Sequence, residues 1–368
     1  MKTLRRLIYR EVLAAVAFVA LGFLSLFFFF DFVDELQYVG KSGPQGYQLT
    51  HALMISALRV PIHLYELLPI VVLIGTIFVM ARLAQSSEYT ILRTSGLGPW
   101  RALRTLLLLG LGFVLLTFAT GDYLAPAADR AGQLLKARYQ GAITVGQTGA
   151  WLKERQGNRT YNANVRELSP DGNMHGLRIF EFDERGYLVS TTVAAKARFG
   201  ADASWLLEDA SRAVFHTRGS DTARIERSRV PSFRWPTEIS AEMVSVAVLK
   251  PERMSTIDLF TYIRHLNANG QTAQRYEIEF WKKVFYPLSC LVMVMLALPF
   301  AYLHFRSGSI TTYVFGGVLI GISFFLLNNV FGYAGNLQNW SPWLTAAAPG
   351  LIYSMFSLAA FGWLVLRR

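Results

Sequence analysis

Val12-Leu-Ala-Ala-Val-Ala-Phe-Val-Ala-Leu-Gly-Phe-Leu-Ser-Leu-Phe-Phe-Phe-Phe30 contains no charged side chain. Residues 67–81, 105–121 and 284–305 also lack one, and none occurs between Arg306 and Arg367. The polar break from Asn336 to Pro342 divides that last apolar stretch in two. A spanning helix needs about 20 mostly apolar residues, and inside lipid only helices or closed barrels satisfy the backbone. The pattern predicts six helices at about 12–36, 58–82, 101–124, 281–304, 309–333 and 343–366. The second has the shortest charge-free core, with Glu66 near its start. The helices form two groups of three around one polar stretch of about 150 residues.

The net charge of +11 is explained by where it lies. Lys2, Arg5, Arg6 and Arg10 precede the first helix; Arg82, Arg93, Arg101 and Arg104 separate the second from the third; Arg306 follows the fourth; Arg367 and Arg368 end the sequence. These segments hold eleven basic residues against Glu11 and Glu88. The opposite loops carry Asp31, Asp34, Glu35 and Lys41, or no charge near Gly335. Basic loops mark the cytoplasmic side, so both termini are expected inside and the polar domain outside. Topogenic charge of this kind argues against nucleic-acid binding. The first helix has a basic start, but its apolar run is longer than a signal core, and it reads as a retained anchor. The single cysteine, Cys290, excludes an intrachain disulfide and metal sites built on paired cysteines.

Residues 141–250 have strand character. Leu177 to Phe182 mostly alternates apolar and polar side chains, Asp183 to Gly186 reads as a turn, and Tyr187 opens another strand. Trp151 to Val165, Ala194 to Phe199, Trp205 to Leu207 and Ala213 to His216 are similar runs, punctuated at Gly157-Asn158, Asp171-Gly172 and Gly219 to Asp221. Short strands at this spacing indicate an all-β sandwich, roll or barrel. Helices are expected to bracket it at 127–139 and 255–268, with Ser255 and Asp258 as a helix-start signal.

The sequence holds no catalytic constellation. Gly40-Lys41-Ser42 lacks the glycine a phosphate-binding loop needs five residues earlier, where Glu35 stands. His51, His63, His175, His216, His265 and His304 have no metal-ligand spacing, and His51 and His63 are expected at helix ends. Ser56, Ser95 and Ser289 lack a nucleophile-elbow context. Asn328 and Asn329 are polar inside the fifth helix and are expected to hydrogen-bond between helices.

The second cytoplasmic connection is more informative. Ser86 can cap a short helix over about 86–95, Glu88 lies in its first turn, Arg93 in its last, and Gly96 can stop it. Tyr89, Ile91 and Leu92 supply an apolar face. Two readings stand: an interfacial helix resting on lipid headgroups, or a coupling helix seated in a groove of a soluble motor subunit.

The chain resembles the LptF/LptG permease family of the lipopolysaccharide export transporter, and its LptG branch more closely. The resemblance rests on Phe32-Val-Asp34-x-Leu36, Leu83-Ala-Gln-x-Ser87-Glu88 with Ser95-Gly96, Asp122-x-x-Ala125-Pro126, Trp151, and Phe285-x-Pro287-Leu-Ser289, in that order across nearly the whole length. It implies helices and coupling segment in 1–126, a periplasmic β-jellyroll-like domain with flanking helices in 127–275, and three more helices in 276–368. It further implies a multi-pass inner-membrane permease subunit of an ABC exporter. Such a subunit works with a paralogous permease, a cytoplasmic ATPase dimer that binds ATP and Mg, a single-helix jellyroll partner and a periplasmic bridge. No cofactor or metal is expected in this chain. Glu88, with Tyr89, Ile91, Leu92 and Arg93, would form the ATPase contact. The lipid headgroup would lean on Lys41, Arg130 and Lys136, since the family's lysines near the end of helix one are replaced here by Asp31, Gln37 and Tyr38. Phe27, Phe30, Leu68, Phe324, Phe325 and Phe331 would line an acyl-chain cavity or face lipid. The rival expectations are a scaffold subunit that transmits force without moving lipid, and a membrane enzyme, against which the missing constellation speaks.

Overall fold

The computed structural model describes residues 2–40, 46–86, 88–89, 91, 98–140, 143–144, 150–169, 172–200, 204–216, 224–237, 239–240, 243–244, 251–302 and 310–363. Its helices are α1 (Lys2–Leu36), α2 (Leu49–Gln85), α3 (Pro99–Ala119), α4 (Ala125–Gln140), α5 (Thr256–Ala268), α6 (Gln274–Phe285), α7 (Ser289–Ala297), α8 (Ile310–Leu337) and α9 (Pro342–Phe361). A π-helical turn, Thr120–Leu124, joins α3 to α4, and 3₁₀ turns extend α6 into α7 and beyond it to Tyr302. Among the described residues six helical stretches are long and apolar enough to cross a membrane, as the sequence predicts. Residues Met1–Glu35, Ser56–Asp129 and Glu277–Arg368 form one compact unit, and Leu36–Ile55 with Arg130–Tyr276 form the other.

In the helical unit α2 is the most enclosed helix: 78% of its most apolar window is buried, against 11% in α1. Hydrophobicity alone does not drive helix association in lipid, so close approach through small residues matters. Gly75 of α2 faces the backbone of Val16 on α1, where a Cβ would stand 2.8 Å from the Val16 nitrogen. Gly317 and Gly321 of α8 face Ile77 and Ile70 of α2. The α1–α2 pair is antiparallel and tied at both ends. Glu11 meets Arg82 at 2.6 Å, and Asp31 and Glu35 meet Arg59 at 3.0 and 2.9 Å.

Helix α2 begins at Leu49, well before the expected start, and runs through Pro61 and Pro69, because neighbouring helices in lipid tolerate the missing donors. His63 therefore sits inside a helix, whereas His51 lies in the first turn and accepts a hydrogen bond from the Gln48 backbone N–H. Nor does the third helix end at Asp122–Pro126. The Ala125 N–H donates to Thr120 O in the wider π register. That leaves the Gly121 carbonyl without its α-helical donor, and in the π register its donor would be residue 126, a proline with no N–H. Buried Lys283 supplies the bond instead, Nζ to Gly121 O at 2.8 Å.

The second unit is a seven-stranded antiparallel sheet: β1 (Ile143–Thr144), β2 (Ala150–Gln156), β3 (Arg159–Leu168), β4 (Met174–Phe182), β5 (Leu188–Phe199), β6 (Ser204–His216) and β7 (Arg224–Pro236). From β2 to β7 each strand pairs with its sequence neighbour, and β1 extends the β2 side of β3. The jellyroll-like domain is thus built by successive hairpins. The sheet curls until its first and last long strands meet: Gln156 Nε2 donates to Pro236 O at 2.9 Å, and Thr237 donates to buried Glu154. The inner face packs Leu152, Val165, Leu177, Ile179, Ala194, Leu207, Ala210 and Trp235. Trp205 is fully buried, and its indole N–H donates to Ile239 O at 2.7 Å. Helix α5 starts with the expected Ser255–Asp258 capping box, and Asn269 just beyond it accepts the Arg155 N–H at the free edge of β2.

A transverse crease crosses this sheet. The strand registers step over Arg166 opposite Gly176, Gly176 opposite Ala195, Ala195 opposite Asp209, and Asp209 opposite Pro231. Gly176 and Asp209 have φ of 65° and 54°, in the left-handed region. Alternation of inward side chains changes phase there: Met174 then Leu177, Ala194 then Ala197, Leu207 then Ala210 are the buried members. Trp205–Leu207 and Ala213–His216, expected as separate runs, are one strand because the crease at Asp209 does not end its pairing. Pro231 in the crease is tolerated because β7 is an edge strand.

Replacing Lys283 by Met leaves the Gly121 carbonyl without its donor, and is expected to lower stability by about 1–3 kcal/mol, read as a drop in thermal unfolding temperature in detergent. Adding Pro126→Ala supplies a backbone N–H and is expected to recover part of the loss. No recovery would refute this account of the π turn.

Candidate functional site

The described part of the connection after α2 holds Glu88, Tyr89 and Ile91 in helical conformation; Leu92 and Arg93 lie outside the described residues. Tyr89 is buried in the main helix cluster, with its ring centroid 5.2 Å from that of Tyr302 in the turn after α7. Glu88 is exposed, and Ile91 is 62% exposed. One aromatic anchor thus holds the segment while the preceding carboxylate and an aliphatic side chain face outward. Exposed apolar and charged groups side by side are what a docking helix offers to a groove.

At the C-terminal end of α1, Asp31 and Glu35 lie one helical turn apart, as do Arg59 and His63 on α2. This i, i+4 spacing puts each pair on one face. The guanidinium of Arg59 donates to Asp31 Oδ1 at 3.0 Å and to Glu35 Oε1 at 2.9 Å, and His63 Nε2 is 2.7 Å from Asp31 Oδ2. Glu35 is 1% exposed. Phe27 stacks on His63 with centroids 4.9 Å apart. Sequence reasoning missed this clasp, although the paired spacings were visible.

The two described headgroup candidates, Arg130 and Lys136, are each engaged by another side chain. Lys41 lies outside the described residues. Arg130 pairs with Asp258, the carboxylate that also closes the α5 capping box. Lys136 on α4 sits with Nζ 4.5 Å from the centroid of Tyr38, a cation–π contact. Near it, His51 stacks on Tyr139 at 3.9 Å. Of the expected cavity residues, Phe30 is 55% and Phe325 39% exposed, whereas Leu68 and Phe324 are packed in two helix clusters. Phe331 lies edge-on to Trp340. An apolar cleft of about 380 Å³ does lie among α1, α2 and α8, lined by Phe18, Val19, Ile74, Phe78 and Val314 and ending at the Glu11–Arg82 pair. None of the six expected residues is among its described lining.

Inside the roll, Glu181 is buried and bonded by Ser190 Oγ at 2.6 Å, Arg212 at 3.2 Å and Arg159. This cluster borders a cavity of about 220 Å³ with Tyr161, Ile179, Phe233 and Trp235. Burial and the Glu181 charge both raise the Tyr161 pKa, so its hydroxyl stays protonated. Among the described residues no group of His, Cys, Asp and Glu could hold a metal.

The family described as lipopolysaccharide export system permease LptF/LptG matches residues 6–367. The lipopolysaccharide export system permease protein LptG of Escherichia coli K12 is 28% identical over 368 residues, covering 99% of this chain and 98% of its own. The protein of the same name from Haemophilus influenzae is 26% identical over 369 residues, covering 100% and 99%.

Replacing Arg59 by Leu removes the guanidinium that bonds both Asp31 and buried Glu35 and is expected to cost about 1–3 kcal/mol, measured by thermal unfolding in detergent. Arg59→Leu combined with Glu35→Leu should be closer to the parent than the single variant. A double variant as unstable as the single one would show that Arg59 does not compensate Glu35.

Proposed function

The chain belongs to the lipopolysaccharide export system permease family LptF/LptG, and on that premise we propose that it is the subunit that takes lipopolysaccharide from the inner membrane and passes it through its sheet domain toward the outer membrane. ATP hydrolysis takes place in a separate cytoplasmic ATPase dimer, and a paralogous permease completes the membrane part. A single-helix jellyroll subunit and a periplasmic bridge extend the path. The termini are cytoplasmic and the sheet domain periplasmic, in keeping with the basic cytoplasmic loops.

The arrangement around Tyr89 carries this reading. Its ring is anchored against Tyr302, so force on exposed Glu88 reaches the end of α7 through a packed contact. Closure of the motor then shifts the helices between two states. A ligand or motor shifts such an equilibrium only by its differential interaction with the two. The exposed apolar face of α1, including Phe18 and Leu21, offers a surface to the partner permease or to the lipid chains. Lys136, with Lys41 and Arg130, supplies positive charge for the headgroup.

A second reading, a subunit that transmits force without conducting lipid, is favoured by one observation. The Glu181–Arg159–Arg212 cluster places buried charge on the inner wall of the roll, where acyl chains would pass. A photo-crosslinker at Ile179, inside the roll, is expected to capture lipopolysaccharide during ATP turnover. Capture only on the paralogous permease would favour the non-conducting subunit.

Glu88→Lys is expected to abolish copurification of a soluble ATPase with this chain from membranes, and Glu88→Ala to reduce it. An ATPase retained equally by both variants would reject Glu88 as the coupling contact.

A further inference from the structure

The crease that bends the sheet also dents its outer face. A hollow of about 550 Å³ lies there, lined by Asn164, Arg166, Arg178, Ser211, Asp209 and Arg229, over small residues at Gly176, Ala194 and Ala195. Gly176 is required: its φ is positive, and a Cβ would stand 3.0 Å from the Arg166 Cβ. One register row leads across the hollow. Trp151 is opposite Asn164, Asn164 opposite Arg178, Arg178 opposite Val193, Val193 opposite Ser211, and Ser211 opposite Arg229. Residues directly opposite each other share a face of the sheet. Trp151 is 52% exposed and stacks on Phe180 with planes 22° apart.

The charges are unbalanced. Asp209, held in the left-handed conformation at the crease, takes Arg229 in a fork, with Nε and Nη2 donating at 2.9 and 3.0 Å. The guanidinium holds the Asp209 carboxyl below its usual range. Arg166 and Arg178 have no acidic partner among the described residues. Three guanidinium groups therefore face one carboxylate. Arginine forks match phosphate oxygens, Asn164 and Ser211 suit hydroxyl groups, and an exposed aromatic plane packs the apolar face of a sugar ring. The volume falls in the range of small-ligand pockets. The hollow is on the sheet face rather than an edge, so an acidic peptide gains no main-chain pairing there.

We propose that Arg166, Arg178 and the Asp209-oriented Arg229 form an anion subsite on the outer face of the roll for the phosphorylated sugars of a glycolipid, with Trp151 as the stacking platform. The subsite is separate from the interior of the roll, where the apolar side chains lie. That the glycolipid is the exported lipopolysaccharide rests on the function proposed above; binding of a phosphorylated glycan does not.

The full chain, purified in detergent with its associated proteins, is titrated calorimetrically with three probes. They are deacylated lipopolysaccharide oligosaccharide with its phosphates, the same oligosaccharide after dephosphorylation, and inorganic phosphate. The first is expected to bind at least about tenfold more tightly than either of the others. Arg166→Glu with Arg178→Glu should weaken it by about tenfold or more, and Trp151→Ala by about threefold. Should the charge-reversed pair not fold, Arg166→Gln with Arg178→Gln gives the same readout. Equal binding by parent and arginine variants, or inorganic phosphate binding as tightly as the oligosaccharide, overturns the subsite. If those variants still copurify the ATPase in a Glu88-dependent way, the transporter reading stands without it. A parent chain that binds the phosphorylated oligosaccharide but recovers no ATPase supports the subsite and overturns the transporter reading.

Discussion

The antiparallel pairing of α1 with α2 is the constraint on which the helical unit depends. It is fastened at one end by Glu11–Arg82 and at the other by Arg59 between Asp31 and Glu35. Between the ends, Gly75 lets the two backbones approach at Val16. The pair at buried Glu35 lies away from bulk water and is the stronger fastening, the partly exposed Glu11–Arg82 pair the weaker, and small residues replace the hydrophobic drive that lipid does not provide. Helix α2 then serves α8 on another side through Ile70 and Ile77. This accounts for the polar side chains it carries despite its high mean hydropathy. A helix enclosed by other helices can carry buried Ser56 and Thr76, which a lipid-facing helix cannot hold cheaply.

Strain and unmet backbone groups in this chain are resolved by single side chains. Pro126 and the π turn leave the Gly121 carbonyl open, and Lys283 closes it from another helix. Tyr89 does comparable work for the connection after α2, pinning it to the turn at Tyr302. Both contacts tie the third or second helix to the α6–α7 segment. A displacement at the cytoplasmic connection therefore has a packed route into the helices, which is the mechanical requirement for coupling to a motor.

The sheet unit combines a curled meander with a crease. Curling brings Gln156 to Pro236 and encloses an apolar wall interrupted by Glu181 and its two arginines. The crease shifts the inward alternation by one position without shifting the register, so both halves keep an apolar inner face. Gly176 and Asp209 make this possible because each adopts a backbone conformation most residues avoid. The outer dent, with its arginines, is a geometric consequence of the same bend.

How much of this was legible in the sequence follows from the range of each interaction. Spanning helices depend on local hydrophobicity over about 20 residues, so all six were readable between Arg5 and Phe361. The capping box at Ser255 and Asp258 is equally local, and so was the strand character of Leu177 to Phe182. The family resemblance was readable from short motifs in order, and the match over residues 6–367 bears it out. Helix ends were not readable where a proline is tolerated by neighbours, as at Pro61 and Pro126. The unity of β6 was hidden because Glu208-Asp209 looks like a turn until β5 and β7 are seen paired on both sides. The clasp of Asp31, Glu35, Arg59 and His63, the Lys283–Gly121 bond and the row from Trp151 to Arg229 join residues far apart in the chain. The sequence alone determined which segments enter lipid and which form strands, because those choices depend on neighbouring residues. Only the tertiary structure decided which charges meet, because distance in space between helices and strands is set by packing and not by position along the chain.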